Sequence, residues 1–330
     1  MAKSETVKLG IIGCGGIASY HLSHLMWIPE ARVTALTDPD KANIEKLQGR
    51  FSQLSDCQVF SDYRDMLASV ELDAVEILTP HTFHFQQAMD ALDRGLHALI
   101  EKPMVCVTNH AKRLIAKAEE KKRVLLVSYQ RHYQPQFRYI KKMIESGELG
   151  DVQFISAMQC QDWMEPTRGS WRQDPALSGG GQLNDSASHL LDIILWTTGL
   201  TPMEALASSD NLGTPVDINS SLSIRFSNGA QASIAVVGNS PCWWEDIYIW
   251  GSKAVIFYRN GKLEYLPRGG EAILEPVKLP PSSDPDRNFI NTILGRETNE
   301  SPATCGLQVI KLTEAVWKST KTGKMAKIPP

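Results

Sequence analysis

Lys102, in the run Leu99-Ile100-Glu101-Lys102-Pro103, places a cationic amine where an apolar strand must stop. Proline fixes its own φ and disfavours helix in the residue before it, so Lys102 is expected extended at a strand end. An ammonium group there can donate to an oxygen that gains negative charge during a reaction. Alone, it reads more readily as a solvated surface amine. A second constellation is Gly13-Cys14-Gly15-Gly16-Ile17-Ala18, which follows the apolar run Leu9-Gly10-Ile11-Ile12 and precedes a helix-like stretch from Ser19 to Trp27. Gly13, Gly15 and Ala18 occupy the three diagnostic places of a dinucleotide-binding turn. The first permits the tight turn, the second lets backbone approach a pyrophosphate, and the third lets helix pack close to strand. The helix N-terminus then offers N–H groups and a positive dipole end to the phosphates.

Asp38 ends the next apolar run, Val33-Thr34-Ala35-Leu36, about 20 residues beyond Ala18, where a ribose hydroxyl is read. Its carboxylate accepts from a free 2′-hydroxyl and repels a 2′-phosphate, and Pro39-Asp40 follow it rather than an arginine, so NAD is expected over NADP. The turns after the later strands should open on the same crevice. Residues expected at the cofactor are therefore Gly13, Gly15, Gly16, Ile17, Asp38, Thr79, Pro80, His81, His84 and Lys102. For His84, capping or lining the following helix is the alternative. His21 and His24 lie one turn apart on the first helix with no third ligand nearby in sequence, so no metal is expected.

A third constellation lies in Gly179-Gly180-Gly181-Gln182-Leu183-Asn184-Asp185-Ser186-Ala187-Ser188-His189-Leu190-Leu191-Asp192. Three glycines feed a helix expected to reach about Thr198. On it Asp185 and His189 stand at i and i+4, with Asp192 at i+7, all on one face. Imidazole beside carboxylate builds a proton acceptor near neutral pH. A packed helix in which Asp185 merely caps or pairs with His189 is the other reading. Substrate contacts are assigned by chain position to Tyr129, Arg131, Asp162, Trp163, Trp171 and Arg172, together with Lys102, Asp185 and His189. Aromatic faces suit the C–H side of a sugar ring and ionic groups suit hydroxyls. Trp163 and Trp171 read equally as core tryptophans.

The elements that must position these groups change character along the chain. Through Val127, strands alternate with helical segments, which argues for right-handed crossovers and a doubly wound parallel sheet. After Ser128 the polar, aromatic stretch Ser128-Tyr129-Gln130-Arg131-His132-Tyr133-Gln134-Pro135 marks a crossing, placing a nucleotide-binding domain at 1–128 and a substrate domain at 129–330. There, runs such as Leu222–Phe226 and Ala232–Val236 are separated by Ser227-Asn228-Gly229, and Asn260-Gly261 follows Tyr258. These are hairpin signals, so an α/β chain with a second, open and mainly antiparallel sheet is expected. Leu222, Ile224, Phe226, Ile234 and Val236 mark one apolar face with few helices available to cover it, so another subunit is expected to cover part of it.

The 330 residues, 42% hydrophobic, suffice for two domains. A net charge of −3 supplies no basic field for nucleic acid or anionic membrane. Six scattered cysteines lack zinc or C-x-x-C spacing and read as reduced thiols. A polar stretch from Met1 to Lys8 and the lack of any 18-residue apolar run point to a cytoplasmic chain.

Taken together, Gly13-Cys14-Gly15-Gly16-Ile17-Ala18, Thr79-Pro80-His81-Thr82-Phe83-His84, Glu101-Lys102-Pro103 and Gly179-Gly180-Gly181…Asp185…His189 resemble the Gfo/Idh/MocA oxidoreductases over essentially the whole chain. The resemblance implies an N-terminal Rossmann domain and a C-terminal α/β domain whose open sheet serves in a homodimer or homotetramer. It also implies a helix at about 305–320 packing back on the nucleotide domain. It implies hydride transfer between nicotinamide and a sugar or cyclitol carbon, with Lys102, Asp185 and His189 as the catalytic group, and a ribose contact from Glu101. His81 stands where asparagine is common and Ala187 where glycine is. Two rivals remain: a redox-neutral glycosidase that cleaves glycosides by oxidation and elimination, and a non-catalytic NAD-binding regulator.

Overall fold

The structure is a computed structural model, and it describes residues 6–271, 273, 274 and 278–329. Met1 to Glu5, most of the polar N-terminal stretch, lie outside the described residues. The chain divides into two compact units, one of residues 1–105, 109–130 and 283–306, the other of residues 106–108, 131–282 and 307–330.

In the first unit, β1 (Val7–Ile12), α1 (Gly16–Leu25), β2 (Ala31–Thr37), α2 (Lys41–Arg50), β3 (Gln58–Phe60), α3 (Tyr63–Ser69), β4 (Ala74–Ile77), α4 (His84–Asp93), β5 (His97–Ile100), α5 (Thr108–Lys121) and β6 (Leu125–Val127) alternate strictly. All six strands are parallel, in the order β3-β2-β1-β4-β5-β6. The order reverses beside β1, between β2 and β4, and the strand ends there border the crevice in which such sheets bind ligands. Strands buried on both faces read as continuous apolar runs, which is why β1, β4 and β5 show no alternation. Leu9, Ile11, Ala18, Leu22, Leu36 and Leu99 form its core.

The second unit holds α6 (Pro135–Glu145), β7 (Val152–Asp162), α7 (Pro175–Ser178), α8 (Ser188–Thr198), β8 (Pro202–Asp210), β9 (Asn219–Phe226), β10 (Gln231–Val237), β11 (Asn239–Gly251), β12 (Ala254–Arg259), β13 (Lys262–Pro267) and β14 (Ile273–Leu274). The chain then forms α9 (Pro285–Ile293) within the first unit, followed by α10 (Ala303–Thr322) and β15 (Ala326–Lys327). Nine strands in the order β14-β13-β12-β11-β7-β10-β9-β8-β15 make one sheet, antiparallel except where β7 meets β10.

One expectation is corrected here. Leu222, Ile224, Phe226, Ile234 and Val236, the face assigned to another subunit, are buried within the chain. The sequence reading undercounted the helices: α6 lies against this face, its Phe137 ring 4.8 Å from that of Tyr258. The apolar residues left exposed are on the opposite face, where Phe154 pairs with Trp250 and Met158 with Asp246.

Candidate active site

In the first unit the glycine turn has the geometry its residues demand. Gly13 takes φ 95° and donates its N–H to the Thr37 carbonyl at 2.8 Å. A Cβ there would strike the Leu78 carbonyl at 2.9 Å. Gly15 is the N-cap of α1, and a Cβ on Gly15 or Gly16 would meet nothing within 4 Å. Open space thus faces unpaired helical N–H groups, the arrangement a pyrophosphate needs. Ile17 is half-buried against the core and Ala18 is fully buried. Asp38 turns its carboxylate onto this turn: Oδ2 accepts the Cys14 N–H at 2.8 Å, and Oδ1 accepts the Asp40 N–H at 2.8 Å and Asn43 Nδ2 at 3.2 Å. Three donors fix the acid's position, and its remaining lone-pair capacity can serve a ribose hydroxyl. The residues present therefore fit a dinucleotide.

His84 is buried and ties two strand-end turns together, with Nε2 2.8 Å from the Thr79 carbonyl and Nδ1 2.9 Å from that of Pro103. Burial outweighs these two acceptors and lowers its tendency to hold a second proton. It thus lines and clamps the loops. Thr79 Oγ1 donates to Gln87 Oε1 at 2.6 Å, Pro80 opens the turn, and buried His81 sets its ring 5.9 Å from that of His84. Lys102 follows β5, joined to Pro103 by a cis peptide, and its N–H donates to Glu101 Oε2 at 3.0 Å. Tyr129 is fully buried after β6.

The second unit brings together four of the substrate candidates. Asp185 Oδ2 accepts from Trp163 Nε1 at 2.9 Å and from Arg172 Nε at 3.0 Å, and the Arg172 guanidinium lies 4.5 Å from the Trp171 ring centre. Trp163 is also a core residue, packed with Met164, Val216 and Ile218. Elsewhere Arg131 pairs with buried Glu245 at 2.5 Å, and Asp162 is exposed at the end of β7 opposite Asn239.

A second correction concerns the helix carrying acid and imidazole. α8 begins at Ser188, so His189 is on it and Asp185 is three residues before it, in a run of turns. The shared helical face of Asp185, His189 and Asp192 is not present. Asp217, which sequence reasoning missed, explains this. Its carboxylate accepts the N–H groups of Gly181 at 3.1 Å and Leu183 at 2.8 Å and the Trp317 Nε1 at 3.2 Å, holding the glycine run as a loop. Gly181 approaches so closely that a Cβ would lie 2.0 Å from the Asp217 carbonyl oxygen. Asp192 instead meets His132 Nε2 at 2.7 Å inside the unit. Burial raises the Asp192 carboxyl, against the pull of His132. Burial likewise raises Glu245, against Arg131. Nothing local in the sequence marks Asp217 or the pairing of His132 with Asp192.

Residues 7–129 match the oxidoreductase family described by its NAD-binding Rossmann fold, and residues 137–257 match the GFO/IDH/MocA C-terminal domain. The chain belongs to the Gfo/Idh/MocA family of oxidoreductases. Levoglucosan dehydrogenase of Pseudarthrobacter phenanthrenivorans is 25% identical over 272 residues, covering 72% of this chain and 68% of that protein. D-xylose 1-dehydrogenase (NADP(+)) of Hypocrea jecorina is 27% identical over 317 residues, covering 86% and 80%. The crystal structure of the WlbA dehydrogenase from Bordetella pertussis, with NADH and UDP-GlcNAcA, superposes with a TM-score of 0.83 at 22% identity over 98% of this chain and 99% of that one. As a Gfo/Idh/MocA protein the chain is an NAD-binding oxidoreductase. Among the described residues no helix is long and apolar enough to cross a membrane.

Proposed function

We propose that this chain is an NAD-dependent dehydrogenase acting reversibly on an alcohol carbon of a sugar or cyclitol. The observation that carries the reading is the fixed Asp38 carboxylate beside the open glycine turn: it offers an acceptor to a ribose hydroxyl and repels a 2′-phosphate. The named activities of relatives, on levoglucosan, D-glucosides and inositol, support the substrate class.

A nicotinamide held at this turn would supply the hydride acceptor. Lys102 donates to the reacting oxygen and stabilises its negative charge. His189, at the first turn of α8, takes the hydroxyl proton. Asp185 supports it from the preceding loop, and the same carboxylate aligns Arg172 and Trp163 for ring hydroxyls and C–H faces. Glu101, Thr79, Pro80 and His81 complete the nicotinamide side, with Tyr129, Arg131, Asp162 and Trp171 assigned to substrate.

The chain is further proposed to work in the cytoplasm as a homodimer or homotetramer joined through the exposed aromatic face of the second sheet. The deciding experiment offers monosaccharides, cyclitols and glycosides with NAD or NADP and follows absorbance of the reduced cofactor. Reduction of NAD by a free sugar or cyclitol is expected. Reduction of NADP alone overturns the reading of Asp38, and glycoside cleavage without net reduction makes the enzyme a redox-neutral glycosidase.

A further inference from the structure

His21 and His24 lie one turn apart on α1 and take no part in the chemistry above. The fold supplies acids to both. Fully buried His21 has Nδ1 2.5 Å from Asp286 Oδ1 and Nε2 3.1 Å from Glu101 Oε1. Asp286, from the first turn of α9, places Oδ2 2.7 Å from Nδ1 of His24, which is 26% exposed. Glu101 in turn receives the backbone N–H of Lys102 on Oε2 at 3.0 Å. A continuous chain, His24–Asp286–His21–Glu101–Lys102, therefore runs within the first unit from its surface to the candidate lysine.

The chemistry of its members is decided by burial. A ring with a carboxylate on each nitrogen can satisfy both only by carrying two protons. The two acids accordingly raise His21 well above the ordinary imidazole range although burial opposes it, and Asp286 also raises His24. Glu76 on β4, fully buried with its Oε2 3.7 Å from His21 Nδ1, has no hydrogen-bond partner among the described residues, and burial pushes its carboxyl well up. Asp286 and Glu101 are the acids hydrogen-bonded to the imidazoles. Glu101 is the sensitive member: burial opposes its ionisation, and the His21 hydrogen bond and charge, with Lys102 and Ser128 behind them, reverse the balance. Tyr20 packs edge-on to both imidazoles, Asp284 lies 3.8 Å from His24, and Arg287 faces Asp284 at 3.9 Å. The 2.5 Å between His21 and Asp286 is a hydrogen-bond separation with no room for a cation between the two atoms.

We propose that His21 is a positioning residue for Lys102, acting through Glu101. Its Nε2 pins one oxygen of the buried carboxylate, so that the other receives the backbone N–H of Lys102 and holds that residue, with a negative charge next to it, at the end of β5. Asp286 and His24 hold the far side of the ring. The proposal rests on the reading of Lys102 as donor to the reacting oxygen, for which the ammonium must remain protonated.

The sign of one measurement separates this from simple charge removal. Taking away a neighbouring cation alone would raise the lysine's pKa. If His21 is what keeps Glu101 ionised, His21→Gln lets Glu101 take a proton and removes the anion next to Lys102, as Glu101→Gln does directly. Lysine-selective 15N NMR of the NAD-saturated full chain reads Lys102, assigned by its loss in Lys102→Arg. The alkaline limb of the kcat/KM profile should move to lower pH in both variants. His24→Gln, at the exposed end, should give a smaller shift of the same sign and remains informative if His21→Gln does not fold. In the wild-type protein the 15N signals of His21 should report two ring protons at pH 7. A Lys102 pKa that rises or stays fixed in His21→Gln or His24→Gln overturns the proposal, as does a singly protonated His21 at pH 7. So does activity lost on chelation and restored by a divalent cation, which would make His24, Asp284 and Asp286 a metal site. If no sugar reduces NAD, the NMR measurements still decide the positioning role, and that failure counts against the dehydrogenase reading alone.

Discussion

At the scale of single residues, Lys102 and His189 are assigned different work, and their substitutions should separate it. Lys102→Ala removes charge stabilisation of the reacting oxygen, and His189→Ala removes the proton acceptor. Each should lower kcat by about 10²- to 10³-fold. NAD affinity, followed by fluorescence titration, should change little, because the proposed contacts to pyrophosphate and ribose belong to the glycine turn and Asp38. Turnover near wild type in either variant refutes its role. Gly13, Gly15 and Asp38 were legible in the sequence because a tight turn and a strand-end acid are local features, enforced by φ and by chain spacing. Asp185 was legible as an acid but not as to its place. Its partners Trp163 and Arg172 and the loop-setting Asp217 come from other segments, and no periodicity encodes them.

Among elements, the alternation of strand and helix from β1 to β6 was readable, since each strand buried on both faces is an apolar run. α9 was not. Its Asp284 N-cap and Pro285 mark a helix start, but nothing nearby tells that Asp286 will meet His21 across 265 residues. The cluster it completes makes β4 sensitive to pH. The Glu76 carboxyl is raised on folding, so the stability due to its protonated state is complete below the ordinary carboxylate range and is lost as pH climbs toward the folded value. Asp286 is lowered, chiefly by His21 acting against burial, and its contribution disappears on the acid side instead. Glu76→Gln keeps the shape and removes the first effect. Denaturant midpoints between pH 5 and 9 should fall less steeply in this variant than in the wild type, and parallel slopes would refute the assignment.

For the molecule as a whole, the second sheet has two apolar faces, and alternation alone could not say which one the chain would cover. The covered face is that of Ile224 and Ile234. The open one carries Phe154, Met158, Trp244 and Trp250, with Trp250 and Phe257 edge to face at 5.6 Å. Large exposed aromatic patches of this kind mark interaction surfaces. Trp250→Lys, with Phe154→Lys if one change is insufficient, should convert an oligomer to a monomer in sedimentation velocity while the thermal midpoint changes by only a few degrees. A wild-type monomer at micromolar concentration excludes the assembly outright.

The return of residues 283–306 to the first unit also orders events in time. Phe289 and Ile290 sit in the same core as Leu9 and Leu22, and Pro302 bridges to Leu126. During synthesis the nucleotide-binding unit, though it leaves the ribosome first, waits for the C-terminal third of the chain before its interior can close. Until then His21 lacks the Asp286 carboxylate. A chain ending near residue 200 would lack Phe289 and Ile290 from that core.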